Sequence, residues 1–262
     1  MGKVRLAVIG GSGLERLLEI EEHLQIETKY GTTRSLSIGK IAGKNVAFVP
    51  RHRPDHSIPP HRINYRANIY ALHELGVERV LATNAVGAIN RDFSLGDLVV
   101  PHDFIDFTKN RCATFYDEAP VTHIDLSQPY CRKLRNQILE IAKKVGQHVW
   151  SEGVFVCTEG PRLETPAEIE MFRRLGCDIV GMTGFPEVVL ARELEMCYAT
   201  ICYVSNMAAG IQRSLAAPRL VKVSKQVMPS LKRILTETIR SLPSKREDTC
   251  SCASALGRAR FE

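Results

Sequence analysis

No apolar stretch in this 262-residue chain approaches eighteen residues, which removes a membrane-spanning helix from consideration. No run of five or more basic residues occurs either, although the formal net charge is +6. The positive charge is dispersed, and that scatter suits a phosphate-sized anion better than a nucleic acid. The pattern G-x-x-x-x-G-K-S/T is absent, so nucleoside-triphosphate hydrolysis has no visible machinery. A dinucleotide fingerprint beginning at Gly11 would need glycine at position 16, where Arg16 stands. No internal repeat, low-complexity tract or linker divides the chain. No apolar h-region follows Met1-Gly2-Lys3-Val4-Arg5, so a cytoplasmic location is expected.

What is present is ordinary globular material, 44% apolar and 24% charged, long enough for a large core. Short β-rich runs at 5–9, 45–50, 79–82, 97–100, 153–157, 178–181 and 198–204 alternate with helical patterns at 63–75, 129–145, 165–175, 187–194 and 220–241. This alternation predicts an α/β fold, a single domain with a central mixed sheet flanked by helices. Pro129 in a first turn, and Thr165-Pro166 as cap and first helical residue, read as helix openings. The domain is expected over 1–241, with residues 242–262 as a flexible tail.

That tail carries Cys250-Ser251-Cys252 in a polar context. The other six cysteines are spread singly and read as small buried hydrophobes in a reducing compartment. The vicinal pair is open to redox chemistry, metal binding or simple solvation. No second Cys/His pair at zinc-ligand spacing accompanies it, so no metal site is expected.

The residues that suggest chemistry cluster at predicted strand exits. Gly10-Gly11-Ser12-Gly13 closes the first strand and offers backbone N–H groups and a hydroxyl to an anion. Arg51-His52 follows the second strand, where Arg51 could grip a phosphate bidentately. Spacing among His52, Asp55, His56 and His61 matches no standard zinc motif. Thr83-Asn84-Ala85-Val86-Gly87 ends the third strand, and Gly181-Met182-Thr183 ends a later buried one. In open α/β sheets ligands sit at such carboxyl ends. Ser12, Arg51, His52, Asn84, Ala85 and Thr183 are therefore expected to form one oxyanion cradle.

Glu164 and Asn206 supply a carboxylate and an amide suited to the edge of a flat heterocycle. A 6-oxopurine presents N1–H as donor and O6 and N7 as acceptors, which Glu164 and Asn206 complement. A 6-aminopurine turns a lone pair toward the carboxylate, and buried mispairing of this kind discriminates by factors on the order of 10⁴. Bland alternatives exist for both: a carboxylate at a helix start for Glu164, a turn residue for Asn206.

With these residues on the page, the chain resembles the trimeric purine nucleoside phosphorylase family, which includes 5′-methylthioadenosine phosphorylases. The resemblance rests on Gly10-Gly11-Ser12-Gly13, Pro50-Arg51-His52, Asn64-Tyr65-Arg66-Ala67-Asn68, Asn84-Ala85-Val86-Gly87, Glu159-Gly160-Pro161-Arg162, Gly181-Met182-Thr183 and Pro186-Glu187. It covers the chain to about Ser241. It implies phosphorolysis in a homotrimer or dimer of trimers, with phosphate as co-substrate and no cofactor. It also implies phosphate contacts from Ser12, Arg51, His52, Ala85 and Thr183, a ribose site over Met182, and base contacts from Glu164 and Asn206 beside Met207 and Ala208. His123 matches a position that reaches the neighbouring subunit's sugar 5′ end.

Departures from the family pattern set the subtype. The adenine-specific branch carries aspartates at the positions of Asn206 and Ala208, and serine or threonine at that of Glu164, so the chain is similar to the 6-oxopurine branch. The histidine that meets a 5′-hydroxyl in mammalian-type members would fall near Arg219-Leu220, and none occurs there. The largely apolar segment 216–220, with Ala217 as specificity residue, would suit a 5′-methylthio group. The Cys-Ser-Cys tail is similar to that of thermophilic archaeal members, where it is associated with disulfide chemistry. The expected substrates are inosine, guanosine and 5′-methylthioinosine. A methylthioadenosine phosphorylase, a hydrolytic nucleosidase and a non-catalytic nucleotide-binding module are the alternatives.

Overall fold

A parallel core of three strands sets the frame: β1 (Leu6–Gly10) lies between β4 (Lys44–Pro50) and β5 (Arg79–Ala88). The computed structural model describes residues 3–11, 13–53, 57–212 and 217–259, apart from the side chains at 34, 217 and 258. Side chains alternate across β1, with Leu6 and Val8 packing on one face and Ala7 and Ile9 on the other. The same split separates Val46 and Phe48 from Ala47 and Val49 on β4. Both faces are apolar because both are covered, as parallel strands require.

The first face is covered by α2 (Arg132–Lys144) and α5 (Ala217–Ser241), through residues such as Ile138, Leu231 and Ile234. The second is covered by α1 (Tyr65–Glu74) and α4 (Glu187–Glu193), through Ile69, Leu72 and Leu190. Every residue of α4 is buried. A fifth helix, α3 (Pro166–Arg174), packs Ile169 and Phe172 against Val156 and Val180. Its start is the expected one: the Thr165 hydroxyl accepts from the Glu168 N–H while the Glu168 carboxylate accepts from the Thr165 N–H. By contrast, Pro129 does not open α2. That helix begins at Arg132 with Cys131 as its cap residue.

The sheet is mixed and larger than the sequence pattern suggests. Antiparallel β2 (Glu19–Thr28) and β3 (Gly31–Ile41) extend it beyond β4. Much of β2 is exposed and charged, which hides its strand character from a search for apolar runs. On the other side, β9 (Ile179–Gly181), β8 (Val154–Thr158) and β7 (Asp103–Phe107) follow β5 in order. The long strand β10 (Cys197–Met207) pairs with β5 throughout and with the short β6 (Leu98–Val99). Among the described residues, no helix is long and apolar enough to cross a membrane.

One break in this topology creates the site. On one edge, β5 pairs with β1 only as far as Ala82 and with β9 only from Gly87. Residues 83–86 are therefore left without a ladder partner on that edge, while β10 holds the other edge. Such a switch point is where open α/β sheets bind ligands.

The segment beyond α5 departs from the expected flexible tail. It folds back on the domain, and Cys250 and Cys252 are buried at 5% and 2% exposure within the same core cluster as α2 and α5. The apolar contacts of two cysteines, each with neighbours far away in sequence, are invisible to a reading that sees only a polar flank.

Candidate active site

Three strand ends converge on residues 83–86. Gly10 closes β1, and its carbonyl accepts from the Arg51 N–H at 3.0 Å, which joins the glycine turn to the end of β4. Gly13 adopts φ +95, a backbone conformation that favours glycine, and a Cβ at Gly10 would lie 2.6 Å from Leu14 Cδ1, so that leucine would have to shift. Ser12 itself lies outside the described residues. The Gly13 N–H donates to the Glu15 carboxylate at 2.7 Å, an anion already seated on this turn.

Arg51 is 3% exposed, and each of its three nitrogens donates one hydrogen bond. Its Nε and Nη2 donate to the two oxygens of Glu187 at 2.5 and 2.9 Å, and Nη1 donates to the Thr83 carbonyl at 2.9 Å. The expected bidentate grip on phosphate is thus taken by Glu187, which leaves Arg51 only its remaining N–H groups for a ligand. Burial disfavours the Arg51 charge, but the adjacent Glu187 carboxylate outweighs it and raises the guanidinium above its ordinary value. Glu187 also accepts from the Tyr198 hydroxyl at 2.8 Å, and burial raises that phenol well above the ordinary tyrosine range. The Arg51–Glu187–Tyr198 group ties β4, α4 and β10 together beneath the unpaired stretch of β5.

The polar wall above it is a short relay. Thr183 donates its hydroxyl to Asn84 Oδ1 at 2.8 Å, and Asn84 Nδ2 donates to the Thr200 hydroxyl at 2.7 Å. Ala85 is the one exposed residue of β5, so the strand opens to solvent beside this relay. The His52 ring nitrogen Nδ1 is hydrogen-bonded to the Ile58 carbonyl at 2.9 Å, which orients the imidazole.

On the other flank of the opening, a bulge in β10 aims Asn206. Val204 pairs with Val86 and Asn206 with Gly87, so Ser205 is the extra residue. The Ser205 hydroxyl donates within reach of Asn206 Oδ1 (2.9 Å), and Asn206 Nδ2 donates to the Met207 carbonyl at 3.0 Å. A Cβ at Gly87 would stand 3.0 Å from Asn206 Nδ2, so the glycine makes room for the amide. Glu164, ahead of α3, accepts from the Thr158 hydroxyl at 2.6 Å through Oε1. Gly160, at φ +68, leaves space for Met182, whose sulfur would lie 2.6 Å from a Cβ there. Met207 is half-buried, its N–H held by Gln212 Oε1 at 3.1 Å.

Other expected contacts stand apart. Ala208 is 1% exposed and packs with Ile89, Val156 and Val180, so its methyl supports the wall behind Asn206 and does not face the opening. His123 is exposed, with its N–H on the Ala259 carbonyl at 2.7 Å, on the wall of a separate cleft of about 580 Å³ shared with Val189 and Glu193. The Ala217 side chain and residue 216 lie outside the described residues. Pro218 and Arg219, at the start of α5, are exposed.

Sequence reasoning missed several residues that hold the site. Glu187 was legible only as part of a family motif, and Tyr198 only as strand apolarity. Arg111 gave no signal at all, since it lies in irregular chain. Its guanidinium donates to the carbonyls of Phe185 (2.6 Å), Glu159 (2.8 Å) and Thr158 (3.1 Å), clamping the exits of β8 and β9.

Residues 5–240 match the model of the phosphorylase superfamily. The chain is 50% identical to a "Probable S-methyl-5'-thioinosine phosphorylase" of Methanothermobacter thermautotrophicus, over 96% of this chain and 88% of that one. It is 46% identical to a "Probable 6-oxopurine nucleoside phosphorylase" of Korarchaeum cryptofilum, over 97% and 98%. Among solved structures, methylthioadenosine phosphorylase from Schistosoma mansoni in complex with tubercidin superposes with a TM-score of 0.91 at 30% identity, covering 98% of this chain and 99% of that one. The chain belongs to the phosphorylase superfamily.

Proposed function

We propose that this enzyme is a purine nucleoside phosphorylase that cleaves 6-oxopurine nucleosides with phosphate, 5′-methylthioinosine among them. The observation that carries this reading is the placement of Asn206 beside Gly87 and of the Asn84–Thr183 relay three residues earlier on the same strand. A base-reading amide and an anion-binding wall thus flank one opening, as a nucleoside and a phosphate in line would need.

Glu164 Oε1 is occupied by Thr158, which leaves Oε2 to accept from the purine N1–H. Asn206 carries a second N–H on Nδ2 for O6 and N7. Bond cleavage builds cationic character on the sugar and negative charge on the departing purine. Asn206 stabilises that charge, and a preorganised donor of this kind is worth about 3–4 kcal/mol in the transition state. Phosphate beside Ala85, Thr183, His52 and the glycine turn stabilises the cation and attacks C1′. Arg51, neutralised by Glu187, contributes donors and shape more than net charge. We read the enzyme as a homotrimer or dimer of trimers in which His123 reaches the neighbouring subunit's sugar 5′ end, and nothing in this chemistry calls for a cofactor.

The test is kcat/KM for inosine, guanosine, adenosine, methylthioinosine and methylthioadenosine, each with and without phosphate. The expected result is turnover of the three 6-oxopurines that stops without phosphate. Full rate without phosphate would make the enzyme a hydrolase, and preference for the two adenosines would make it a methylthioadenosine phosphorylase.

A further inference from the structure

Four cysteines that are distant in sequence meet at the opposite end of β10. Cys131 caps α2, Cys197 begins β10, and Cys250 and Cys252 belong to the folded C-terminal segment. All four are buried, at 5% exposure or less, and their sulfur atoms lie within 4.8 Å of one another. Cys250 Sγ stands 3.8 Å from that of Cys131 and 3.4 Å from that of Cys197. A disulfide would need about 2.05 Å. Four thiolates around one zinc ion, at about 2.3 Å each in a tetrahedron, stand about 3.8 Å apart.

The backbone that carries these thiols is pinned independently of them. The Cys131 N–H donates to Tyr198 O, the Cys197 N–H to Glu78 O, and the Cys250 N–H to Glu247 O, at 2.8, 2.9 and 3.0 Å. Cys131 sits at the positive end of the 13-residue α2. Arg79, Lys133 and Arg246 line a cavity of about 80 Å³ that reaches Cys131, Cys197 and Cys250 and offers an entry path. The Nε atoms of Arg79 and Arg192 are buried without a hydrogen-bond partner, although Arg79 also faces Glu78 and Lys133 pairs with Glu247. A zinc tetrathiolate carries two net negative charges, which these arginines would balance.

We propose that Cys131, Cys197, Cys250 and Cys252 form a structural zinc site that fastens the C-terminal segment to α2 and β10. Binding displaces the thiol protons to solvent and leaves four Zn–S bonds, with no change of oxidation state. The expectation of no metal site rested on local spacing, and spacing could not register partners 53 and 119 residues away. The consequence reaches the His123 loop, because the fastened segment includes Ala259, whose carbonyl holds His123.

Elemental analysis of the full-length protein, purified under reducing conditions and re-equilibrated with zinc, tests this. The expected content is about one zinc per chain, falling at least about tenfold in Cys250→Ser/Cys252→Ser and holding in Cys177→Ser. Should the double variant fail to fold, cobalt loading of the unmodified protein gives a second reading. Tetrahedral thiolate coordination then gives intense sulfur-to-cobalt charge-transfer bands, abolished by competing zinc. Wild-type protein that takes up less than about 0.1 zinc per chain and shows no such bands would overturn the site. A mass about 4 Da below that of the reduced chain, with peptide mapping that joins Cys131, Cys197, Cys250 and Cys252 in two disulfides, would do the same.

Discussion

Arg51 and Glu187 form a two-point ion pair at 2.5 and 2.9 Å, each side chain 2% exposed, directly beneath the strand opening of the active site. The pair joins β4 to the first turn of α4, and Tyr198 and the Thr83 carbonyl complete its hydrogen bonds. A buried pair so fully satisfied fixes geometry more than it adds stability, but losing one partner strands the other.

Glu187→Gln should therefore cost about 3–5 kcal/mol in urea unfolding, because the Arg51 charge is left buried with a neutral neighbour. It should also raise the KM for phosphate more than the KM for nucleoside, since the proposed function sets Arg51 on the phosphate side. Unchanged stability would mean the pair is not buried in solution.

Thr183→Ala removes the hydroxyl that donates to Asn84 and that the proposed function assigns to phosphate. A hydrogen bond to a charged group is worth about 1.5–3 kcal/mol, so the KM for phosphate should rise by at least about tenfold. Steady-state kinetics with phosphate varied at saturating nucleoside would show it. A rise confined to the nucleoside KM would move Thr183 out of the phosphate site.

Asn206→Asp should reduce kcat on inosine by about 10²–10³, the usual loss for a missing transition-state donor. An ionised carboxylate would also face the Met207 carbonyl, to which the amide now donates. Adenosine should be excluded less strictly in this variant, because a protonated Asp can donate to N7 while its other oxygen accepts from the amino group. Wild-type kinetics on inosine would remove Asn206 from base recognition.

Methylthioinosine should bind with a KM roughly tenfold below that of inosine, which corresponds to about 1.4 kcal/mol. Burying a methylthio group accounts for about 1–2 kcal/mol at roughly 25 cal/mol per Å². Equal KM values would leave a general 6-oxopurine phosphorylase.

Acid should weaken the start of α3, which Glu164 directly precedes. Hydrogen bonds from Arg162 and from the Thr165 N–H hold the Glu168 carboxyl down at about 2, against an ordinary 4.5. A depressed carboxyl stabilises the fold above its unfolded value, and that contribution is lost as pH falls from 4.5 toward 2. Glu168→Gln should flatten the melting temperature against pH across this window. The effect should be small and salt-sensitive, because the Arg162 partner is exposed.

Much of the molecule was settled by local sequence. Apolar alternation and turn residues specify β1, β4, β8, β9 and β10, and Thr165-Pro166 with Glu168 specifies the start of α3, because propensity and capping act over a few residues. The candidate residues Asn84, Glu164, Thr183 and Asn206 were legible because open α/β sheets bind ligands at the carboxyl ends of their strands. Tertiary structure decided what depends on distant partners. It turned Arg51 from a phosphate clamp into half of an ion pair with Glu187, 136 residues away. It recruited Arg111 from irregular chain to hold three carbonyls, set Ala208 behind the wall, and folded an apparent tail so that Cys250 and Cys252 meet Cys131 and Cys197. Burial and charge compensation are properties of three-dimensional neighbourhoods, so no local pattern in the chain encodes them.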